Sequence, residues 1–499
     1  MKQKINYNDL KIYLFGIVFL SFFSDSVSPL YEYHYNFDSS FFTLMGRAIN
    51  NNHLMYKDYY DVKGPLFFFL QAFGQLICEG RFGAFVLGII SICSSLFFLI
   101  RLRDVFTLSR KELVLLLSVF YTVYATCLWD GNTLEELYLP LNMCCLYILT
   151  QMIITQKRKI IYPLFAGAAL GVFIFSKATV AAPLCGMLIT ILYILIINKE
   201  YSFLKKSILS FFCGIFIISF PVILYFLIKG NLSEMVRWVF KIAYTRATSQ
   251  SLYTGNNSFT VNMWELYLSP CYVGLLFSLI LLKKNQEKTP SSMVILLLSQ
   301  SILCLFILHL GTPLEYYLFI QMPLVIVECV IFIKELDLLT KTHDVLSLTQ
   351  TRLRIILSMS TCLALIAAVY LYSDVHVFYD NFNLLNDEND YEMYLAMNEL
   401  YSHIPENEKN DIMCVETGTR FFEMTGAFPI NKYPYNTSYL GSICEPVRQD
   451  IFDSFEKESH KWLFTEMIPE NANQSFYNMI DAHYENVSGD NYMRLYRRR

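Results

Sequence analysis

The chain has 499 residues, 55% of them hydrophobic and only 16% charged, with a formal net charge of −4 at pH 7. Soluble domains carry about 25% charged residues, so this composition leaves too few polar groups to cover a water-facing surface, and mean hydropathy is +0.38. A soluble enzyme is therefore excluded, and the scattered basic residues exclude a nucleic-acid partner.

Taken in chain order, eleven apolar spans are predicted, at roughly 11–30, 82–100, 112–129, 137–154, 160–177, 178–197, 208–228, 266–282, 291–308, 315–333 and 355–373. Four runs, Phe82–Ile100, Ala178–Ile197, Ile208–Ile228 and Ile355–Tyr372, hold no charged side chain. A hydrocarbon core of ~30 Å needs about 20 such residues as helix, because only a helix or closed barrel satisfies its own backbone there. Pro65–Cys78 is shorter and reads as an interfacial or re-entrant helix. The apolar run Ile12–Phe23 follows three lysines, as in a signal peptide, but no small-residue cleavage pattern follows it, so it reads as a retained span.

Charge orients this map. The connections 1–11, 101–111, 156–159, 198–206, 283–290 and 334–354 carry 20 Lys and Arg, whereas the longer opposite connections carry nine. The positive-inside rule then places the N-terminus in the cytoplasm and residues 374–499 outside a cytoplasmic membrane. Two domains follow. Residues 1–373 form the membrane part, with outer loops 31–64 and 229–265. Residues 374–499 form a small extracytoplasmic α/β domain, with helices expected at Tyr391–His403, Ile451–Ser459 and Gln474–Tyr484 and strands at Asp411–Glu416, Trp462–Thr465 and Tyr492–Tyr496. Cys414 and Cys444 lie in this polar region, either as two thiols or as a disulfide.

Polar residues retained in a membrane protein mark its function. Here they collect at the outer interface, as Asp38, Arg47, Asp58, Asp61 and Lys63 in the first loop, then Asn132, Glu135 and Glu136, then Lys177, then Glu315, Tyr316 and Tyr317. Each has a plainer reading. Asp38 stands where a helix N-cap would, Asp58 and Asp61 precede Pro65 as turn residues do, Lys63 fits a snorkelling lysine, and Tyr316-Tyr317 fits an aromatic belt. Glu328, near the other end of its span, is expected to reach interfacial water beside Lys334.

Together the motifs resemble a family. An acidic residue in the first outer loop followed by Asp61-Val-Lys63-Gly64-Pro65, then Gly131-Asn132-Thr-Leu-Glu135, then Tyr316-Tyr317 and Pro323, is similar to the GT-C superfamily of integral-membrane glycosyltransferases. The nearest branch is the bacterial one related to protein O-mannosyltransferases and the lipid A aminoarabinose transferase. The resemblance covers about residues 10 to 335. It implies a GT-C-like fold of about eleven transmembrane helices and inverting transfer of a sugar from a polyprenyl-phosphate donor to a glycan, lipid or protein acceptor. In that scheme Asp38 is the general base, and Lys63, Lys177, Arg47, Tyr316 and Tyr317 hold the donor phosphate. Asp58, Asp61, Asn132, Glu135, Glu136 and Glu315 bind sugar or acceptor. No cofactor is expected. Asp38, Asp58, Asp61 and Glu135 offer oxygen ligands for Mg²⁺ or Mn²⁺, with metal independence favoured, and no His/Cys spacing points to zinc.

The rival readings are a lipid-linked saccharide flippase or other transporter, a polysaccharide ligase or polymerase, and a non-catalytic scaffold. A transporter needs a polar path, yet most spans lack any charged residue and no internal repeat is visible. A scaffold leaves the clustered acids and lysines without a purpose.

Overall fold

The computed structural model describes residues 7–128, 130–245, 269–282, 291–308, 315–341, 371, 373–385, 387–416, 418–435, 445–457, 460–466, 474–489 and 493–499. Nearly all of the expected span 355–373, most of the loop 229–265, and Cys444 lie outside the described residues.

Apolar helices dominate, and local sequence sets their ends. The helix α1 (Tyr7–Phe23) stops seven residues before the end of the first expected span, so Asp25 begins the following loop. Asn36 caps α2 (Phe37–Asn50), and Pro65 opens α3 (Pro65–Ile77) at a position where no amide hydrogen is needed. Next come α4 (Arg81–Phe106) and α5 (Arg110–Cys127), the latter started by a reciprocal Ser109/Glu112 capping box. Thr133 caps α6 (Leu134–Ile154). A 3₁₀ turn, Ala178–Ala181, separates α7 (Ile161–Ile174) from α8 (Ala182–Ile197). The long α9 (Tyr201–Ile228) follows.

Among the described residues, Arg81–Phe106, Leu134–Ile154, Ala178–Ile197 and Tyr201–Ile228 are long and apolar enough to cross a membrane. The last has only 17% of its most apolar window buried. Leu209, Phe212, Phe216 and Ile228 project outward from it, an apolar face too large for water and suited to lipid.

The connections alternate between two ends of this bundle. At one end Arg158 pairs with Glu200 at 2.7 Å and the Lys334 ammonium donates to Thr107. At the other, five connections converge. Ser26 donates its amide to the Asp130 carbonyl (3.1 Å), the Gly64 amide reaches the Ser176 carbonyl (2.6 Å), and the Asn231 side chain reaches the Met55 carbonyl (2.8 Å). Glu328 departs from expectation. It is 2% exposed, inside the bundle rather than at an aqueous interface, because its helix continues as Leu318–Lys341 and carries the polar end further along.

The C-terminal part is a four-stranded sheet with helices. Strand β1 (Ile412–Glu416) runs parallel to β2 (Trp462–Glu466), which pairs antiparallel with β4 (Met493–Arg498), and β3 (Tyr484–Gly489) closes the far edge. The parallel pair requires a crossover, which contains the helices Thr419–Thr425 and Glu445–Lys457. Strand β3 goes beyond the sequence expectation, which ended a helix at Tyr484. Most of its residues are exposed, so it shows no alternation and is legible only through its pairing with β4. Cys414 donates its thiol to the Pro434 carbonyl at 3.1 Å.

This part does not hang free. Leu44 of α2 is fully buried in a core with Met397, Leu400, Phe421 and Phe464, whereas Phe41, Phe42 and Met45 of the same helix join the core of the bundle. The amphipathic α2 is therefore the layer between the two.

Candidate active site

The first turn of α2 is where the convergent loops meet. Asn36, with extended backbone, accepts from the amides of Asp38 (2.8 Å) and Ser39 (3.2 Å) through its side chain. Capping therefore belongs to Asn36, and the Asp38 carboxylate is not consumed by it. Instead that carboxylate accepts a hydrogen bond from the Tyr435 hydroxyl. The Tyr435 ring stacks on Phe41, with centroids 5.2 Å apart and planes 14° apart. Ser39 accepts from Asn132 (3.2 Å), which in turn accepts from Gln71 (2.7 Å), so α2, α3 and the loop before α6 are laced together.

Lys63 approaches the same face of α2. Its ammonium lies 4.5 Å from the centroid of Phe42, one helical turn beyond Asp38. Asp61 holds the loop by accepting the Lys63 amide at 2.6 Å and stands 3.8 Å from the ammonium. Gly64 explains the motif. A β-carbon there would lie 2.1 Å from the Phe175 carbonyl oxygen, so only glycine lets this strand lie against residues 175–176. Two backbone bonds fasten it, Gly64 to Ser176 (2.6 Å) and Leu66 to Phe175 (3.0 Å).

Lys177 follows directly in that segment. Its ammonium donates to Glu135 at 2.5 Å and lies 4.1 Å from the Tyr317 ring centroid and 5.5 Å from that of Tyr316. Glu135 is 2% exposed. Lys177 thus gathers Glu135, Tyr316 and Tyr317 around its ammonium, and the Gly64–Ser176 bond ties its segment to the loop bearing Lys63.

Other sequence-derived candidates stand elsewhere. Arg47 spends its donors on the carbonyls of Phe422 (3.2 Å), Gly426 (2.9 Å) and Ala427 (2.9 Å), as a tie between α2 and the C-terminal part. Glu136 turns inward and accepts from Tyr124 at 3.0 Å. Asp58 accepts the Leu54 amide (2.7 Å) and closes its own turn. The Glu315 side chain is outside the described residues.

Sequence reasoning did not single out Asn36 or Tyr435. An asparagine one residue before a helix and a tyrosine in an aromatic run carry no local signal of a partner hundreds of residues away. It also passed over a group beside the site. Asn36 donates its amide to Asp130 at 2.7 Å, and Asp130 lies with Asp25 and His34 so that one donor atom of each falls within 4.8 Å of the others. Burial raises the Asp130 carboxyl above the usual carboxylate range, against the pull of His34 and the Asn36 hydrogen bond.

No protein-family model matches the sequence, and no curated protein does. The fold has clear relatives among solved structures. ArnT from Cupriavidus metallidurans bound to undecaprenyl phosphate superposes with a TM-score of 0.58 at 12% identity, covering 98% of this chain and 97% of that one. The apo structure of the same protein gives 0.55 at 11% identity with the same coverage. Near-complete coverage at that identity shows a shared fold, the GT-C-like fold that the sequence motifs resemble.

Proposed function

We propose that this GT-C-like chain is an inverting glycosyltransferase that moves a sugar from a polyprenyl-phosphate donor to an acceptor hydroxyl on an envelope glycan, lipid or protein. The observation that carries it is the first turn of α2, where Asn36 does the capping and leaves the Asp38 carboxylate beside the loop that presents Lys63. The fold match to a protein crystallised with undecaprenyl phosphate supports a lipid-phosphate donor.

In this reading Asp38 accepts the proton of the acceptor hydroxyl as its oxygen attacks the anomeric carbon. A positioned base of this kind contributes ~10²–10⁴-fold. The bond from that carbon to the phosphate oxygen breaks on the opposite side, so configuration inverts. Lys63 and Lys177 stabilise the charge developing on the departing polyprenyl phosphate, with Tyr316 and Tyr317 beside Lys177. Asp61, Asn132 and Glu135 orient sugar or acceptor. No cofactor is assigned to the transfer step, and neither Mg²⁺ nor Mn²⁺ is given a role in it. The active site faces outward from a cytoplasmic membrane, with the N-terminus inside and the C-terminal domain outside.

The test is transfer by purified wild-type and Asp38→Asn protein in lipid, with labelled polyprenyl-phosphate sugars as donors and an envelope extract as acceptor. Transfer by wild type alone is expected. Equal transfer by both would remove Asp38 from the chemistry, and labelled lipid crossing the bilayer without transfer would favour a flippase.

A further inference from the structure

Asp25 lies in the loop after α1, 3% exposed, and its Oδ1 has no hydrogen-bond partner. A buried carboxylate oxygen without a donor is costly, because it has given up its water and gained nothing in return. The group facing it is His34 Nε2, at 4.0 Å. That separation is too long for a hydrogen bond, which needs about 2.7–3.2 Å. Two ligands held tetrahedrally at about 2.0–2.2 Å from zinc stand about 3.3–3.6 Å apart, so the pair has to draw in by roughly half an ångström to share one ion.

The opposite nitrogen of the same ring is already committed. His34 Nδ1 lies 2.8 Å from Asp390 Oδ2, on the helix Glu388–Ser402. A carboxylate there takes the Nδ1 proton and leaves the Nε2 lone pair pointing at Asp25, the arrangement that orients metal-binding histidines. Asp130 supplies a third donor.

The surrounding backbone is built to hold these groups. Ser26 gives both its amide (3.1 Å) and its hydroxyl (2.6 Å) to the Asp130 carbonyl, which fixes Asp25 beside Asp130. Asp130 itself has φ of +65°, a conformation that costs energy for a residue with a side chain. Gly131 follows at φ +97°, where a β-carbon would lie 2.0 Å from Ser24 Oγ. On the other side Arg81 clamps the loop, donating to the carbonyls of Tyr31 (2.5 Å), Glu32 (2.5 Å) and His34 (3.0 Å). A cavity of about 420 Å³, lined by Tyr31, His34, Asp387, Asp390 and Tyr391, gives access to the imidazole.

We propose that Asp25, His34 and Asp130 bind a divalent transition-metal ion of the zinc and manganese class, with Asp390 orienting the imidazole. One imidazole with carboxylates suits these ions better than Ca²⁺ or Mg²⁺. The ion neutralises carboxylates that otherwise face one another, and it joins three separate segments, 24–36, 128–132 and the helix bearing Asp390. Its second effect runs through Asn36, which donates to Asp130 and caps the turn carrying Asp38. It is a positioning ion, and its binding does not depend on the transferase reading.

The experiment uses the full chain in detergent, stripped with a chelator and re-equilibrated with Zn²⁺ or Mn²⁺. Bound metal is read by mass spectrometry and stability by thermal unfolding, with no sugar donor present. One equivalent per chain and a rise in Tm are expected. Asp25→Asn and His34→Gln should lose the ion, and His53→Gln should keep it. Asp390→Asn should keep it with an affinity weaker by about 10–100-fold. Wild type without stoichiometric metal, or full retention by both ligand variants, would overturn the proposal. If the ligand variants fail to fold, unchanged affinity in Asp390→Asn would overturn it. A chain that binds the ion but transfers no sugar leaves this inference standing and removes the transferase reading instead.

Discussion

The hydroxyl of Tyr435 donates to the carboxylate of Asp38 across 397 positions of sequence. The C-terminal part thereby reaches the one acid that sits at the start of α2 and does not cap it. Tyr60 fastens the same segment, donating to the Tyr435 carbonyl from its hydroxyl and to the Lys432 carbonyl from its amide. A surface that looks like an appended domain in sequence is here one wall of the candidate site.

Tyr435→Phe removes the hydroxyl while keeping the ring stacked on Phe41. Hydrogen bonds to charged groups contribute about 1.5–3 kcal/mol to stability, so Tm should fall, and kcat/KM for transfer should fall by roughly tenfold or more as Asp38 loses the group that holds it. An unaltered kcat/KM would show that Asp38 is positioned without Tyr435.

Gly64→Ala should be disproportionately harmful for so small a change. Its methyl group would meet the Phe175 carbonyl at 2.1 Å, and overpacking of this sort costs about 1–3 kcal/mol. The two backbone bonds that seat Lys63 beside the segment bearing Lys177 would have to lengthen. A Tm drop together with weaker binding of polyprenyl phosphate is expected. A variant with wild-type Tm and binding would refute the close approach.

Glu135 is 2% exposed and its partner Lys177 22%, so removing the lysine leaves a buried carboxylate unpaired at a cost of about 1–3 kcal/mol. Lys177→Met should therefore destabilise the fold and abolish transfer. Adding Glu135→Gln should recover much of the stability and none of the activity. Recovery of both would reduce the pair to a structural role.

Glu466, in β2, is paired with Arg420 at 3.0 Å and is 1% exposed. Burial pushes its carboxyl up to about 7, against the opposing pull of Arg420. The folded value exceeds the ordinary 4.5, so between those pH values the folded chain holds a proton that the unfolded chain releases. The contribution to stability is complete below 4.5 and is lost as pH rises through about 7. Thermal unfolding should show Tm declining across this window, and Glu466→Gln should flatten the decline. A pH-independent Tm difference between the two proteins would contradict it.

Much of the architecture is legible in the sequence. Charge-free runs in 82–100, 178–197 and 208–228 match the long apolar helices, because the demand that backbone groups be satisfied within a segment is local to that segment. Most C-terminal helices and strands were legible from periodicity, and Pro65 marked the first position of α3. Edge strand β3 was not, since exposed residues carry no alternating pattern.

The candidate site divides along the same line. Residue chemistry and the family resemblance together nominated Asp38, Lys63, Lys177 and Glu135, since acids and lysines at the ends of apolar spans are costly to keep. Only the tertiary structure decided that Asn36 rather than Asp38 caps α2, that Arg47 is occupied with Gly426 and Ala427, that Tyr435 reaches Asp38, and that Asp25, His34, Asp130 and Asp390 gather from distant segments. The reason is physical. Composition and periodicity report what a segment needs from its solvent, whereas a side chain's partner is set by where separate segments pack, and that packing is a property of the whole fold.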